Sequence, residues 1–325
     1  MTGKPNQFIL SQTLLELAKE DERVIALVCD SRFSAHLAEF AAVLPRQFIE
    51  VGIAEQNVVG IAAGLATCGK IPFVFTPAPF LSMRSAEQIK IDVAYSQTNV
   101  KLVGISGGVS YGALGTTHHS LQDLAVMRAI PGLPVVVPSD NRETALLVRE
   151  LKEHRGPVYL RTGRGPVPDV HEAGFVPKLG KGCLLLPGID LAIVVCGELV
   201  RAALDAGIFL HERGISARVV EIHTIKPLDE ELILEAARET KAILTVEEHS
   251  VYGGLGSAVA ELLVQNRLSI PMRILGIPDE PAIVGSQLEV FRYYGLTLEG
   301  IVAEALKLLG VDITDIKTDI KVKGA

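Results

Sequence analysis

Short, β-branched apolar runs punctuate the first half of the chain: VIALV (24–28), FVF (73–75), NVKLVGI (99–105), LPVVV (133–137) and VYL (158–160). Runs of this length, set between polar or glycine-bearing segments, predict buried strands. Longer segments with helical spacing lie between them. Ile9, Leu14, Leu15 and Leu17 predict one helix, residues 55–67 a second, 83–95 a third and 141–153 a fourth. Ser139–Asp140 supplies an N-cap candidate for the last. Strand and helix alternating at this interval predict βα units on a parallel sheet. The segment after Glu55, NVVGIAAGLATCG, is apolar nearly all round. Such a helix is expected to be buried on every side, which in a layered domain points to a subunit interface.

Residues 164–190 are rich in Pro and Gly and carry no period, so they form the best linker candidate. A second alternating block follows, with strands expected at 191–196, 216–222 and 242–248 and helices at 198–213, 229–239 and 255–265. The expected organisation is two doubly wound α/β domains, 1–170 and 191–325, joined by a linker at 171–190. No repeat of the solenoid or propeller kind is visible.

A chain of 325 residues can bury a sizeable core without disulfides or metals. Nearly half of it is hydrophobic, yet only 5% is aromatic and none is Trp, so the interior is aliphatic, as parallel strands covered by helices require. The net charge of −7 argues against non-specific nucleic-acid binding, which needs a basic face. Cys29, Cys68, Cys183 and Cys196 form no C-x-x-C pair and read as small core residues in a reducing compartment. The N-terminal MTGKPNQFIL lacks a signal-peptide pattern. The uncharged stretch 102–122 holds five glycines and two histidines and is a poor membrane span. A soluble, cytoplasmic protein is the expectation.

Several residues could carry chemistry. Glu55 opens an otherwise apolar helix; it is either a first-turn carboxylate favoured by the helix dipole or a desolvated acid able to share a proton with a ligand nitrogen. His118 and His119 lie in the glycine-rich GGVSYGALGTTHHSLQD. That loop is either flexible surface or backbone held close to a ligand, and adjacent side chains pointing apart make a shared metal unattractive. Phe80, after a strand, is either core or a stacking platform for a planar ring. Arg161 and Arg164 follow the last strand of the first domain, where open α/β sheets bind ligands. They either form surface salt bridges or hold a phosphate. Gly253, Gly254 and Gly256 lack the third glycine of a dinucleotide fingerprint, Val259 standing in its place, and read as a tight strand–helix turn.

Three stretches, EVGIAEQNVVGIAAGLA, GTTHHSLQDLAVMRAIPGLPVVVPSD and TVEEHSVYGGLG preceded by IKPLD, resemble the C-terminal half of a transketolase, the pyrimidine-binding and C-terminal domains. The first is also similar to deoxyxylulose-phosphate synthases. The resemblance runs from about residue 7 to about residue 310. It implies thiamine diphosphate as cofactor and transfer of a two-carbon ketol unit from a ketose phosphate to an aldose phosphate. On that resemblance Glu55 bonds the aminopyrimidine, Phe80 stacks on it, Ile53 joins the cofactor contacts, His118 serves substrate proton transfer, and Arg161 or Arg164 meets the sugar phosphate. The G-D-G motif that holds the diphosphate through Mg²⁺ is absent, and 325 residues leave no room for its domain. A split enzyme is therefore expected, with the Mg²⁺ ligands on a separate N-terminal transketolase subunit and an α₂β₂ heterotetramer. Leu114 and Ser106 depart from the family pattern, which carries an Asp and a His there, and each change removes a polar contact to sugar. The competing readings are the β subunit of a 2-oxo acid dehydrogenase decarboxylase, a deoxyxylulose-phosphate-synthase-like enzyme, and a non-catalytic subunit.

Overall fold

The computed structural model describes residues 3–312. Twelve strands occur among them: β1 (Val24–Val28), β2 (Phe48–Glu50), β3 (Ile71–Pro77), β4 (Lys101–Ile105), β5 (Val135–Val136), β6 (Val158–Arg161), β7 (Cys183–Leu186), β8 (Leu191–Val195), β9 (Ala217–Glu221), β10 (Thr224–Lys226), β11 (Ile243–Ser250) and β12 (Met272–Ile277). The apolar runs become strands because helices cover both faces. Every residue of β1, β3 and β4 is buried, the environment in which continuous aliphatic runs outcompete alternation.

The strands form two mainly parallel sheets. The larger has the order β10-β5-β6-β4-β3-β1-β2, the smaller β12-β11-β8-β9-β7. Two antiparallel edges break the parallel rule: β7 pairs with β9, and β10 pairs with β5. The second is an exchange between the halves, because β10 leaves the C-terminal half to finish the N-terminal sheet. The linker expected at 171–190 contains β7, whose residues are only partly buried. An edge strand of that kind carries little periodic signal.

Helix starts follow their caps. Asp140, rather than Ser139, caps Asn141–Glu153 by accepting the Glu143 N–H at 2.8 Å. Gln287–Tyr294 and Leu298–Leu309, which the periodicity did not reveal, start at Ser286 with a capping box and at Thr297. The segment expected as one helix at 83–95 is broken near Ser85 and ends in a π-helical stretch, Ile89–Tyr95. The helix Glu55–Thr67 is not enclosed on every side. Val58, Val59, Ala62 and Ala63 pack inward, while Gln56, Asn57, Gly60 and Gly64 lie exposed. Cys29 and Cys196 are core residues as expected, but Cys68 is exposed. Among the described residues no helix is long and apolar enough to cross a membrane.

The glycine turn at 253–256 has a structural cause. Glu247 is buried at the N-terminus of the helix Leu255–Gln265, where its two oxygens accept the N–H groups of Leu255 at 2.7 Å and Gly256 at 2.8 Å. A Cβ at Gly254 would sit 1.9 Å from Glu247 Oε2, so only glycine lets the carboxylate reach the orphan donors.

A buried ion cluster ties the halves together. His171 Nδ1 lies 3.2 Å from Asp140 Oδ2, and its Nε2 lies 2.7 Å from Glu221 Oε2. The Phe175 ring stacks on the imidazole at 3.6 Å. His171, Cys183 and Glu221 are also spaced as a potential metal-ligand set. With each ring nitrogen already facing a carboxylate, the geometry is that of an imidazolium held between two anions. Burial opposes that charge, but Asp140, Cys183 and Glu221 outweigh it and push the His171 pKa up to about 12. His171→Ala leaves two buried carboxylates uncompensated and is expected to cost about 3–5 kcal/mol. A pKa raised from 6.5 stabilises fully below pH 6.5 and loses that contribution as pH rises towards 12. The deficit, read by urea unfolding of both proteins, should be larger at pH 6 than at pH 10.

Candidate active site

The candidate residues converge at the carboxyl ends of the strands of the larger sheet. β2 ends at Glu50; Gly52, with φ +70°, then turns the chain so that Glu55 begins a helix. β3 runs directly into the helix Ala78–Arg84, which carries Phe80. β4 ends at Ile105, and the chain continues through Ser106, at φ +55°, into the glycine loop. β6 ends at Arg161, three residues before Arg164.

Glu55 is 5% exposed. Its Oε1 accepts from Arg84 Nη1 at 2.8 Å. The same guanidinium lies over the Phe80 ring, 4.1 Å from its centroid. His118 meets Phe80 edge-on at 5.3 Å and Tyr111 edge-on at 5.2 Å. Arg164 covers Tyr111 at 5.2 Å. An unbroken path of contacts therefore links Glu55, Arg84, Phe80, His118, Tyr111 and Arg164, starting at a buried carboxylate and ending at an exposed cation.

The two histidines diverge, although His118 closes a helical turn rather than lying on the extended chain expected. His118 is half-buried, with Nδ1 2.9 Å from the Thr117 hydroxyl. His119 is buried, with Nε2 3.0 Å from the Gly112 carbonyl. The two arginines also separate. Arg161 is buried: its Nη2 donates to the Glu248 carbonyl at 2.7 Å, and its guanidinium lies 3.7 Å from both the Asp123 and the Glu248 carboxylates. Its donors face protein, so of the pair only Arg164 is presented to a ligand. Ser106 is wholly buried, whereas Leu114 is exposed at the loop tip.

Two clefts meet at Arg84. One, of about 390 Å³, is lined by Ile53, Ala54, Glu55, Gln56, Asn57 and Arg84. The other, of about 240 Å³, is lined by Phe80, Met83, Arg84, Thr117, His119 and Gln122 among others. Arg84 is a residue that the sequence reading missed. It stands four positions after Phe80, which puts both on one face of the short helix, and that spacing was the available signal. Its side chain tests what the site accepts. A planar, nitrogen-bearing cation bonds Glu55 and stacks on Phe80 at the same time. An acidic acceptor beside an aromatic face suits a planar heterocycle with ring nitrogens, such as an aminopyrimidine.

The fold is two mainly parallel α/β units in succession, and both match domains of one enzyme family. Residues 6–169 match the transketolase pyrimidine-binding domain and residues 180–301 the transketolase C-terminal domain. The chain belongs to the transketolase family.

Among its relatives, one subunit of the apulose-4-phosphate transketolase of Phocaeicola vulgatus is 53% identical over 300 residues, 92% of this chain and 96% of that one. A solved split-gene transketolase, described as an inactive beta4 tetramer, superposes with a TM-score of 0.85 at 39% identity, covering 95% of this chain and 99% of that one. The 1-deoxy-D-xylulose-5-phosphate synthase of Heliobacterium modesticaldum is 39% identical over 307 residues, but this chain spans only 47% of it. Near-complete coverage thus goes with transketolase subunits, and the synthase alternative accounts less well for the chain.

Proposed function

We propose that this chain is the C-terminal subunit of a split transketolase and transfers a two-carbon ketol unit from a ketose phosphate once joined by a partner that carries the diphosphate-binding domain. The carrying observation is the Glu55–Arg84–Phe80 arrangement, an acid and a ring already engaging a planar nitrogen cation. Thiamine diphosphate, when bound, supplies the nucleophilic carbon that such transfer needs. Every other contribution comes from side chains.

Glu55 holds a proton at a ring nitrogen of the aminopyrimidine, a bond that strengthens once the partner covers the cleft and excludes water. Phe80, with Ile53 at the cleft edge, orients the ring. Arg84 is 48% exposed and can withdraw into solvent. His118, steadied by Thr117 and two aromatic edges, exchanges a proton at a substrate hydroxyl or carbonyl oxygen. Arg164 meets the phosphate. Leu114 in place of a polar residue points to substrates that ask for no hydroxyl contact there. Apulose 4-phosphate, named for the relative in Phocaeicola vulgatus, is the first ketose to assay. The Mg²⁺ ligands belong to the partner.

The reading is tested by assaying the two-subunit enzyme with phosphorylated ketoses and with 2-oxo acids. Ketol transfer is the expected activity, and turnover of 2-oxo acids alone would replace it with the dehydrogenase reading. Arg164→Ala loses a charge-assisted bond of about 1.5–3 kcal/mol, so KM for the phosphorylated substrate should rise about 10- to 150-fold. An unphosphorylated ketose should show no such rise.

A further inference from the structure

We infer that Glu248, on β11 in the C-terminal half, is the positioning residue for the loop that presents His118. The inference rests on the site proposed above and gives the second domain a part in it.

The loop is pinched at its base. Gly108 and Ser120 exchange backbone bonds, the Gly108 N–H donating to the Ser120 carbonyl at 3.1 Å and the Ser120 N–H to the Gly108 carbonyl at 2.7 Å. Everything between them, including Tyr111, Leu114 and His118, hangs from this neck. The next donor inside it, Val109 N–H, is satisfied by Glu248 Oε1 at 2.8 Å. That oxygen also accepts from Gln287 Nε2 at 3.0 Å. Arg161 clamps the same residue through the Glu248 carbonyl.

The glycines show how close the approach is. A Cβ at Gly107 would fall 2.1 Å from Arg161 Nε, and one at Gly108 would fall 2.2 Å from Glu248 Cδ. The neck is therefore threaded between an arginine and a carboxylate, and only glycine fits. Further along the loop, a Cβ at Gly112 would lie 2.7 Å from the Gly285 carbonyl and one at Gly115 3.0 Å from Val284. The loop thus rests on the segment before Gln287. Glu248 is buried, with Arg161 its nearby cation. Burial raises the Glu248 pKa, with Arg161, Val109 and Gln287 pulling it back. A misplacement of about 1 Å by a residue remote from the chemistry can cost about a hundredfold in rate, so a single anchor at the neck is enough to matter.

The test uses the assembled two-subunit enzyme carrying Glu248→Ala, Glu248→Gln or Gln287→Ala. Turnover is measured together with amide hydrogen exchange over residues 109–119 and cofactor affinity. Glu248→Ala should speed exchange across the loop at least tenfold and lower kcat at least tenfold, with cofactor affinity within twofold of the parent. Glu248→Gln keeps an oxygen for Val109 N–H and should restore part of both losses. Gln287→Ala, which removes a support of Glu248 and also a 3.5 Å contact to the Ser110 hydroxyl in the loop, should move both readouts in the same direction by less, and Glu248→Gln carries the test if Glu248→Ala does not assemble. Unchanged loop exchange in these variants would overturn the assignment. Faster exchange with unchanged kcat would leave the hold of Glu248 on the loop standing and remove His118 from the chemistry.

Discussion

Replacing Glu55 with Gln is expected to abolish most ketol transfer while leaving the protein folded. The two side chains have the same shape, so the packing of Val58, Val59 and Ala62 below the helix is undisturbed. The stability terms are small. A first-turn carboxylate contributes about 0.3–1 kcal/mol through the helix dipole. Its partner Arg84 is half-exposed and can return to water. The catalytic term is much larger. An amide can neither carry the charge that answers a cationic ring nitrogen nor take up its proton. Loss of a positioned acid–base group lowers rates by about 10²–10⁴-fold. The variant should therefore melt within a few degrees of the parent and show turnover reduced by that factor in the two-subunit enzyme. Turnover within tenfold of the parent would remove Glu55 from the mechanism.

The fold was legible where local pattern and burial coincide. The runs 24–28 and 99–105 contain β1 and β4, because a short, wholly buried run rich in aliphatic residues has few other uses, even with Lys101 and Gly104 in the second. Legibility failed where pairing is decided from far away. β10 is three residues long and is a strand only because β5, nearly ninety positions earlier, lies beside it. β7 owes its conformation to β9 in the same way. The segment 83–95 departs from the single helix expected because periodicity does not distinguish a continuous α-helix from one that breaks near Ser85 and continues with a π-turn.

The site divides similarly. Glu55, Phe80 and His118 carried a family resemblance, and the structure places Phe80 and His118 in direct contact. Arg161 and Arg164 were indistinguishable in sequence, since the strand signal at 158–160 precedes both. What separates them is β11 of the other half, which buries Arg161 against Glu248. No local pattern contains that information. Nor does one show that Arg84 bridges Glu55 and Phe80, although its spacing from Phe80 allows it.

Dependence on a second chain is the other large expected effect. The Glu55 cleft is open on the side of Ile53, Gln56 and Asn57. The helix behind it exposes Gly60 and Gly64, where an added Cβ would meet nothing within 4 Å. Ile53, which lines the cleft, is 73% exposed, and Met83, beside Arg84, is exposed as well. Apolar groups left open around a proposed acid–base centre are expected to be covered in the working enzyme, since water there weakens the proton-sharing bond.

The decisive measurement is a titration of this chain with a second protein that carries the G-D-G diphosphate-binding domain, in thiamine diphosphate and Mg²⁺, following ketol transfer from a ketose phosphate. The account predicts no turnover from this chain alone, activity that rises with added partner, and a plateau at equimolar subunits. Robust turnover by this chain without the partner would contradict it.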